Sequence, residues 1–221
     1  MILKRLFITL LPFLATSCGD GPKPTENVQN LDPQKILFSL PTLCDLAPAV
    51  EAEPASKDAK ELHEDDWRQI EFVPLSNDDH IRSELAALSV FKTEHQKGAG
   101  WTSVYLRKEH PTELVTLGLR VASLPGFATS ALALSGRPVR GGFALTDQNE
   151  WFIYGQRSPD GHIIQLGVSP GNSSCSQRFA LGLVQIARAA HVQLIDWYAG
   201  AVVNAASPAS ILKWAHRYQR Q

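Results

Sequence analysis

Three strand-length runs set close together in the second half of the chain restrict its fold more than any other feature. Gly141 to Thr146, Glu150 to Gln156 and His162 to Val168 are rich in β-prone residues, and they are joined by Asp147-Gln148-Asn149 and by Ser158-Pro159-Asp160-Gly161. Both joints are turn chemistry, since Asn, Asp and Gly tolerate left-handed backbone and Pro presets φ. Connections this short join antiparallel neighbours, because a parallel pair needs a crossover of about a dozen residues or more. The spacing therefore predicts an antiparallel meander.

Apolar stripes at helical spacing surround it. Ile81, Leu85, Leu88 and Phe91 predict a first helix, opened by a capping box at Ser76 and Asp79 and ending near Gly98. Phe179, Leu183, Ile186, Ala187 and Ala190 predict a second. Ser207-Pro208 followed by Ile211, Leu212, Ala215 and Tyr218 predicts a third, with Lys213, His216, Arg217 and Arg220 toward its C-terminus, where cations oppose the helix dipole. Alternation in Trp101 to Arg107 and in Val115 to Val121 predicts two further strands, and Ser123 to Leu134 a short helix after Pro125. Val192 to Val203 fits helical spacing, but its β-branched and aromatic content around Gly200 favours a buried strand. Trp67 to the C-terminus thus reads as a single α+β domain with a largely antiparallel sheet and about three helices.

The N-terminus carries a different signal. Lys4 and Arg5 precede an apolar run from Leu6 to Ala15, too short for a permanent span of about 20 residues and right for a cleaved export signal. Leu14-Ala15-Thr16-Ser17-Cys18 resembles the lipobox of bacterial lipoproteins, with Ala15 where Leu is usual and Ser17 where Gly or Ala is usual. The resemblance covers the first twenty residues only. It implies a signal peptide over residues 1–17, lipidation of Cys18 and a membrane anchor, and Gly19 in place of Asp after the cysteine favours the outer membrane with the domain facing the periplasm. Residues 18–66 then form the lipidated terminus and tether: Gly19 to Lys35 is Pro- and polar-rich, residues 36–46 are apolar enough to dock, and Ala47 to Asp66 reads as linker or marginal helix. With Cys18 acylated, Cys44 and Cys175 are left as an even pair in a compartment where disulfides persist, and joining them would close a loop of about 130 residues at an upper gain of roughly 5 kcal/mol.

Chemistry is harder to find. With 21 Lys plus Arg against 22 Asp plus Glu, the chain lacks the basic excess of a nucleic-acid binder. It contains no phosphate loop, Cys-x-x-Cys, His-Glu-x-x-His or Gly-x-Ser-x-Gly pattern, and nothing calls for a cofactor or a metal. His63 with Glu64, Asp65 and Asp66 is the densest ligand-like cluster and reads as a solvated acidic run. Asp79-His80, Ser130 and Ser135 are isolated candidates for acid/base or nucleophilic roles. Asp196, inside an apolar run, must be paired, with Arg178 or Arg188 as structural partners, or else serve a functional role. Trp101, Tyr105, Arg120, Arg137 and Arg140 are the candidates for a binding surface.

Two functional classes follow. The first is a lipid-anchored envelope protein that binds a protein partner without catalysis, as an assembly factor or toxin-immunity protein would. The second is an envelope hydrolase recruiting His80, His162 or Asp196.

Overall fold

The computed structural model describes residues 37–44, 47–147 and 150–219. The signal segment 1–17, Cys18, the tether to residue 36, and Arg220 lie outside the described residues. Seven strands form the main sheet: β1 (Ile70–Pro74), β2 (Ala128–Ser130), β3 (Gly142–Thr146), β4 (Phe152–Arg157), β5 (Ile163–Ser169), β6 (Val192–Asp196) and β7 (Ala201–Val203). Their order is β7-β6-β1-β5-β4-β3-β2, and every pairing is antiparallel. With helices α1 (Asp78–His95), α2 (Gln177–Ala189) and α3 (Pro208–Ala215), the domain is α+β, as the patterning predicts. The meander β3-β4-β5 supplies three of the seven strands, and β1, far away in sequence, is inserted between β5 and β6.

Strand alternation sends one side chain set to each face. Ile70 and Phe72 of β1, Phe143 and Leu145 of β3, Ile153 of β4 and Leu194 of β6 meet Phe179, Leu183 and Ile186 of α2 and Ile211 and Trp214 of α3. Each large side chain buried here contributes about 1.5–3 kcal/mol. Both helices are capped as their sequences require: the Ser176 hydroxyl accepts from Phe179 N at 2.9 Å, and Ser207 accepts from Ser210 N at 3.2 Å with Pro208 in the first turn. The opposite face carries two separate apolar patches. One packs Ala144, Phe152 and Tyr154 against Leu62, Trp67, Leu132 and Leu134. The other packs Val73, Ile195 and Trp197 against Ile81 and Leu88 of α1. Glu71 lies between them.

Several local expectations give way to packing. Residues 47–66 are more than a linker: Lys60–Leu62 pairs in parallel with Leu132–Leu134, and Leu62 is buried. Thr42–Cys44, in the docking segment, pairs in parallel with Tyr105–Arg107. The strand predicted over Trp101 to Arg107 is thus split into Gly100–Trp101 and Tyr105–Arg107. The strand predicted over Val115 to Val121 is two 3-10 turns, Leu114–Leu117 and Val121–Ser123, because Gly118 turns left-handed at φ 64° and breaks the extended run. After Pro125 the chain forms the edge strand β2 and no helix. Helix α1 begins at Asp78 without a side-chain cap from Ser76, and the preceding Asn77 side chain reaches across to Thr112. Val192 to Val203 is the β6-β7 hairpin, turned through Gly200 at φ 69°.

Gly167 of β5 is one position where the sheet tolerates no side chain. A Cβ there would lie 2.4 Å from the Tyr154 ring and 2.8 Å from the Ile70 carbonyl oxygen. Gly167→Ala is expected to destabilise the domain by about 1–3 kcal/mol in urea unfolding. Gly126→Ala, with nothing within 4 Å, is expected to stay within about 0.5 kcal/mol of wild type.

Candidate functional site

Because β1 is paired on both edges, Glu71 is sealed between Ile195 on β6 and Gly167 on β5, and it is 1% exposed. A carboxylate in such a place needs full compensation. Arg68 Nε and Gln165 Nε2 donate to Oε2 at 2.7 and 3.0 Å, and Trp197 Nε1 and His110 Nε2 bond Oε1 at 2.8 and 3.1 Å. Burial alone would push the Glu71 carboxyl up, but the Arg68 guanidinium and the His110 hydrogen bond hold it well below the usual carboxylate range. The ionised carboxylate accepts at both oxygens, which places the His110 proton on Nε2. His110 Nδ1 is buried with no hydrogen bond among the described residues, as is Nε2 of His80, whose ring stands edge-on to it at 5.8 Å.

Two guanidiniums feel this one carboxylate, and only Arg68 bonds it. Arg68 adopts a left-handed backbone, φ 59°, held by its N–H to the Tyr154 hydroxyl at 2.7 Å and by the bond to Glu71. Arg107 is 6% exposed and donates only to neutral acceptors, the Arg68 carbonyl at 2.9 Å, Gln69 Oε1 at 3.3 Å and Thr42 Oγ1 at 3.4 Å, while it stacks on the Trp197 ring at 4.9 Å. Burial pulls its proton affinity down, opposed by the Glu71 charge.

Beyond the Glu71–Gly167 pair a cavity of about 360 Å³ opens beside β1 and β5. A bulge contributes to its wall: Gln165 pairs with Gln156 and Ile163 with Arg157, so Ile164 is the extra residue. Apolar walls come from Trp67, Phe72, Pro74, Leu114 and Ile164, and polar groups from Arg68, Glu71, His110, Thr112, Gln156 and Gln165. Glu109 and Glu113 are exposed lining residues. The loop that supplies His110 is tied to α1 by a reciprocal clamp, Asn77 Nδ2 to the Thr112 carbonyl at 2.8 Å and Thr112 N to Asn77 Oδ1 at 3.0 Å. Arg68 Nη1 and Nη2, and the Oε1 atoms of Gln156 and Gln165, carry no hydrogen bond to the described residues. His110 offers the cavity neither nitrogen, since Nε2 is bonded and Nδ1 is buried.

The residues singled out by sequence are scattered. Trp101 lies in the small hairpin, and the Tyr105 hydroxyl donates to buried Glu84 at 3.1 Å. Arg120 bonds the Asp160 carbonyl and the His162 ring, Arg140 pairs with Glu51 at 3.0 Å, and Arg137 sits in a two-residue strand beside Leu134, so no shared anion site arises from their contacts. Cys44 and Cys175 are free thiols, a correction to the expected disulfide. Cys175 belongs to the core under α2 and α3, whereas Cys44 borders Arg68, Glu71 and Arg107 on the opposite face, so the sheet separates them. Burial, together with the Asp147 charge, pushes the Cys175 thiol up to about 12. Among the described residues no three His, Cys, Asp or Glu side chains are placed to hold a metal ion, and His63 bonds its own turn at Asp65 N.

Asp196 is fully buried, but its partners are Trp214 Nε1 and the Tyr218 hydroxyl, each at 2.8 Å, Ala199 N at 2.8 Å and Arg217 at 3.4 Å. Arg178 and Arg188, its expected partners, bond the Gly126 and Ala206 carbonyls instead. Ser158, Asp160 and His162 resemble a catalytic set by composition only. The Ser158 hydroxyl donates to Asp160, the His162 Nδ1 bonds Asp160 at 2.7 Å, and Nε2 faces Arg120 at 3.2 Å, so no imidazole nitrogen is left to activate the serine. The hydrogen bonds from Ser158 and His162 hold Asp160 down at about 2. Glu71, Arg68, His110 and Gln165 were not singled out by the sequence. The available signal was a carboxylate in the run Ile70-Glu71-Phe72-Val73, the same pattern that marks Asp196. Comparison of the chain with protein-family models, with curated proteins and with solved structures finds no match.

Glu71→Gln is expected to cost about 3–5 kcal/mol in denaturant unfolding, because it leaves two buried guanidiniums without a counter-charge. Folding lowers the proton affinity of Glu71, so its contribution is intact above its ordinary value of 4.5 and is lost progressively as the pH falls below it. Melting temperatures recorded from pH 7 downward should therefore fall below that point in wild type, with a shallower fall in Glu71→Gln.

Proposed function

We propose that this protein is a bacterial lipoprotein, anchored through Cys18 and directed to the outer membrane by Gly19, whose α+β domain faces the periplasm and binds a protein partner without catalysis. The observation that carries the binding reading is the cavity beside β1 and β5. The polar groups it leaves open are those of Arg68, Gln156 and Gln165 and the exposed carboxylates of Glu109 and Glu113, while the histidine in its wall has no nitrogen to offer as a base. Of the three groups a hydrolase would recruit, His162 and Asp196 are consumed by local partners, and the His80 Nε2 is buried without a hydrogen bond among the described residues, its ring edge-on to His110. No helix among the described residues is long and apolar enough to cross a membrane, which leaves the acyl chains of the N-terminus as the anchor in this reading.

The test is metabolic labelling with palmitate together with membrane fractionation. Wild type is expected to incorporate label and to sediment with membranes, and Cys18→Ala to do neither. Unlabelled wild type, or a Cys18→Ala chain that remains membrane-bound, would remove the anchor. Capture from cross-linked envelopes is expected to yield one stoichiometric protein that is lost when Ile164→Phe fills the cavity.

A further inference from the structure

We propose that the cavity beside β1 and β5 binds a monoanionic carboxylate carried on an apolar body, and that Arg68 is the residue that takes the carboxylate. This rests on the reading of the domain as a binding module and names the chemistry of what enters the cavity.

The charge balance points to an anion. Arg68 and Arg107 are both withdrawn from water, Glu71 is the carboxylate between them, and the hydrogen bonds of Arg107 go to neutral acceptors only. Within this buried cluster the two guanidiniums exceed the one carboxylate, while the other carboxylates of the cavity, Glu109 and Glu113, are exposed and screened by water, so the attraction for an anion is local to Arg68.

Geometry selects the kind of anion. Arg68 spends Nε on Glu71, and its two terminal nitrogens carry no hydrogen bond to the described residues. A pair of parallel N–H donors on one planar group matches the two oxygens of a carboxylate. A phosphate presents more oxygens and more charge than a single open guanidinium can satisfy. Exposed Glu109 and Glu113 among the lining residues repel any anion, a dianion twice as strongly as a monoanion, which favours the smaller charge. The remaining walls suit an aliphatic or aromatic body, since Phe72, Leu114 and Ile164 are apolar and Trp67 and Pro74 flank them. At about 360 Å³ the space lies at the small end of ligand pockets. A carboxylate of this description is found at the C-terminus of a polypeptide ending in an apolar residue, and on a free short-chain acid.

Titration calorimetry on the purified, lipidated full chain in non-ionic detergent decides the matter, with N-acetyl-alanyl-leucine, the same dipeptide as its C-terminal amide, and hexanoate as probes. The expected result is saturable one-to-one binding of an acid with Kd below about 1 mM, and binding of the amide at least about tenfold weaker than that of the peptide acid. Tighter binding of the peptide acid assigns the site to chain ends, and tighter binding of hexanoate assigns it to free acids. Arg68→Lys, which keeps a charge opposite Glu71 and removes the fork, should weaken acid binding by about tenfold or more. Because Arg68 also supports the fold, Ile164→Phe serves as the second variant: it fills the cavity, leaves the charged cluster in place and should abolish binding. Equal affinity for acid and amide, no saturable binding of either acid up to about 10 mM, or undiminished binding by folded Ile164→Phe would each overturn the proposal. Those outcomes are independent of palmitate labelling and partner capture: if both of these persist while acid binding fails, the ligand assignment falls and the anchored binding protein stands.

Discussion

The polar centre of one face of the sheet is arranged around the need to compensate the Glu71 carboxylate. The interior strand β1 carries it into a place that water does not reach, and donors arrive from four separate parts of the chain: Arg68 from the preceding turn, Gln165 from β5, Trp197 from the end of β6 and His110 from the loop after Tyr105–Arg107. Each of these segments is positioned by further bonds. Trp197 N donates to the Gln69 carbonyl at 2.9 Å, the loop of His110 is clamped to Asn77, and Arg68 is held in its left-handed turn by Tyr154. The cavity is a consequence of the same arrangement. The chain segments that serve Glu71 also supply much of the cavity wall, with Ile164 bulged out beside Gln165.

Asp196 is a carboxylate buried on the other side of the sheet, and the comparison shows why burial alone does not define a site. Asp196 is surrounded by Trp214, Tyr218 and the Ala199 amide, with Arg217 at its edge, and it ties the C-terminal helix to the β6-β7 hairpin. Its surroundings are filled, and burial together with the Asp196 charge pushes the Tyr218 hydroxyl far up in pKa, so the hydroxyl stays a donor. Around Glu71 the count differs: one guanidinium bonds the carboxylate, a second feels its charge without touching it, and open space adjoins the first. An imbalance of charge next to a cavity points to a ligand, whereas a balanced and packed cluster points to structure.

Local patterns were legible where the local cause dominates. The turn chemistry of Ser158-Pro159-Asp160-Gly161 produced the β4-β5 hairpin, and the caps at Ser176 and Ser207 and the apolar stripes behind them produced α2 and α3. Alternation misled in Val115 to Val121, because the same residues pack as 3-10 turns once Gly118 reverses the backbone and Leu114 is drawn into the core. Composition misled in residues 47–66, where the short strand Lys60–Leu62 is made by pairing with Leu132–Leu134, a partner about seventy residues away.

By itself the sequence determined the α+β class, the antiparallel meander and the helices α2 and α3, because those depend on turn residues, caps and periodicity within a few positions of one another. It also carries the lipobox-like segment on which the proposed anchoring rests. The tertiary structure alone decided which carboxylate meets which cation, that Cys44 and Cys175 lie on different faces, and that a cavity forms beside Arg68. The physical reason is range. Arg68, Glu71, Arg107, His110, Gln165 and Trp197 are spread over 130 positions of the chain, and hydrogen bonds and charge compensation act over ångströms. Their chemistry exists only after the strands that carry them have paired.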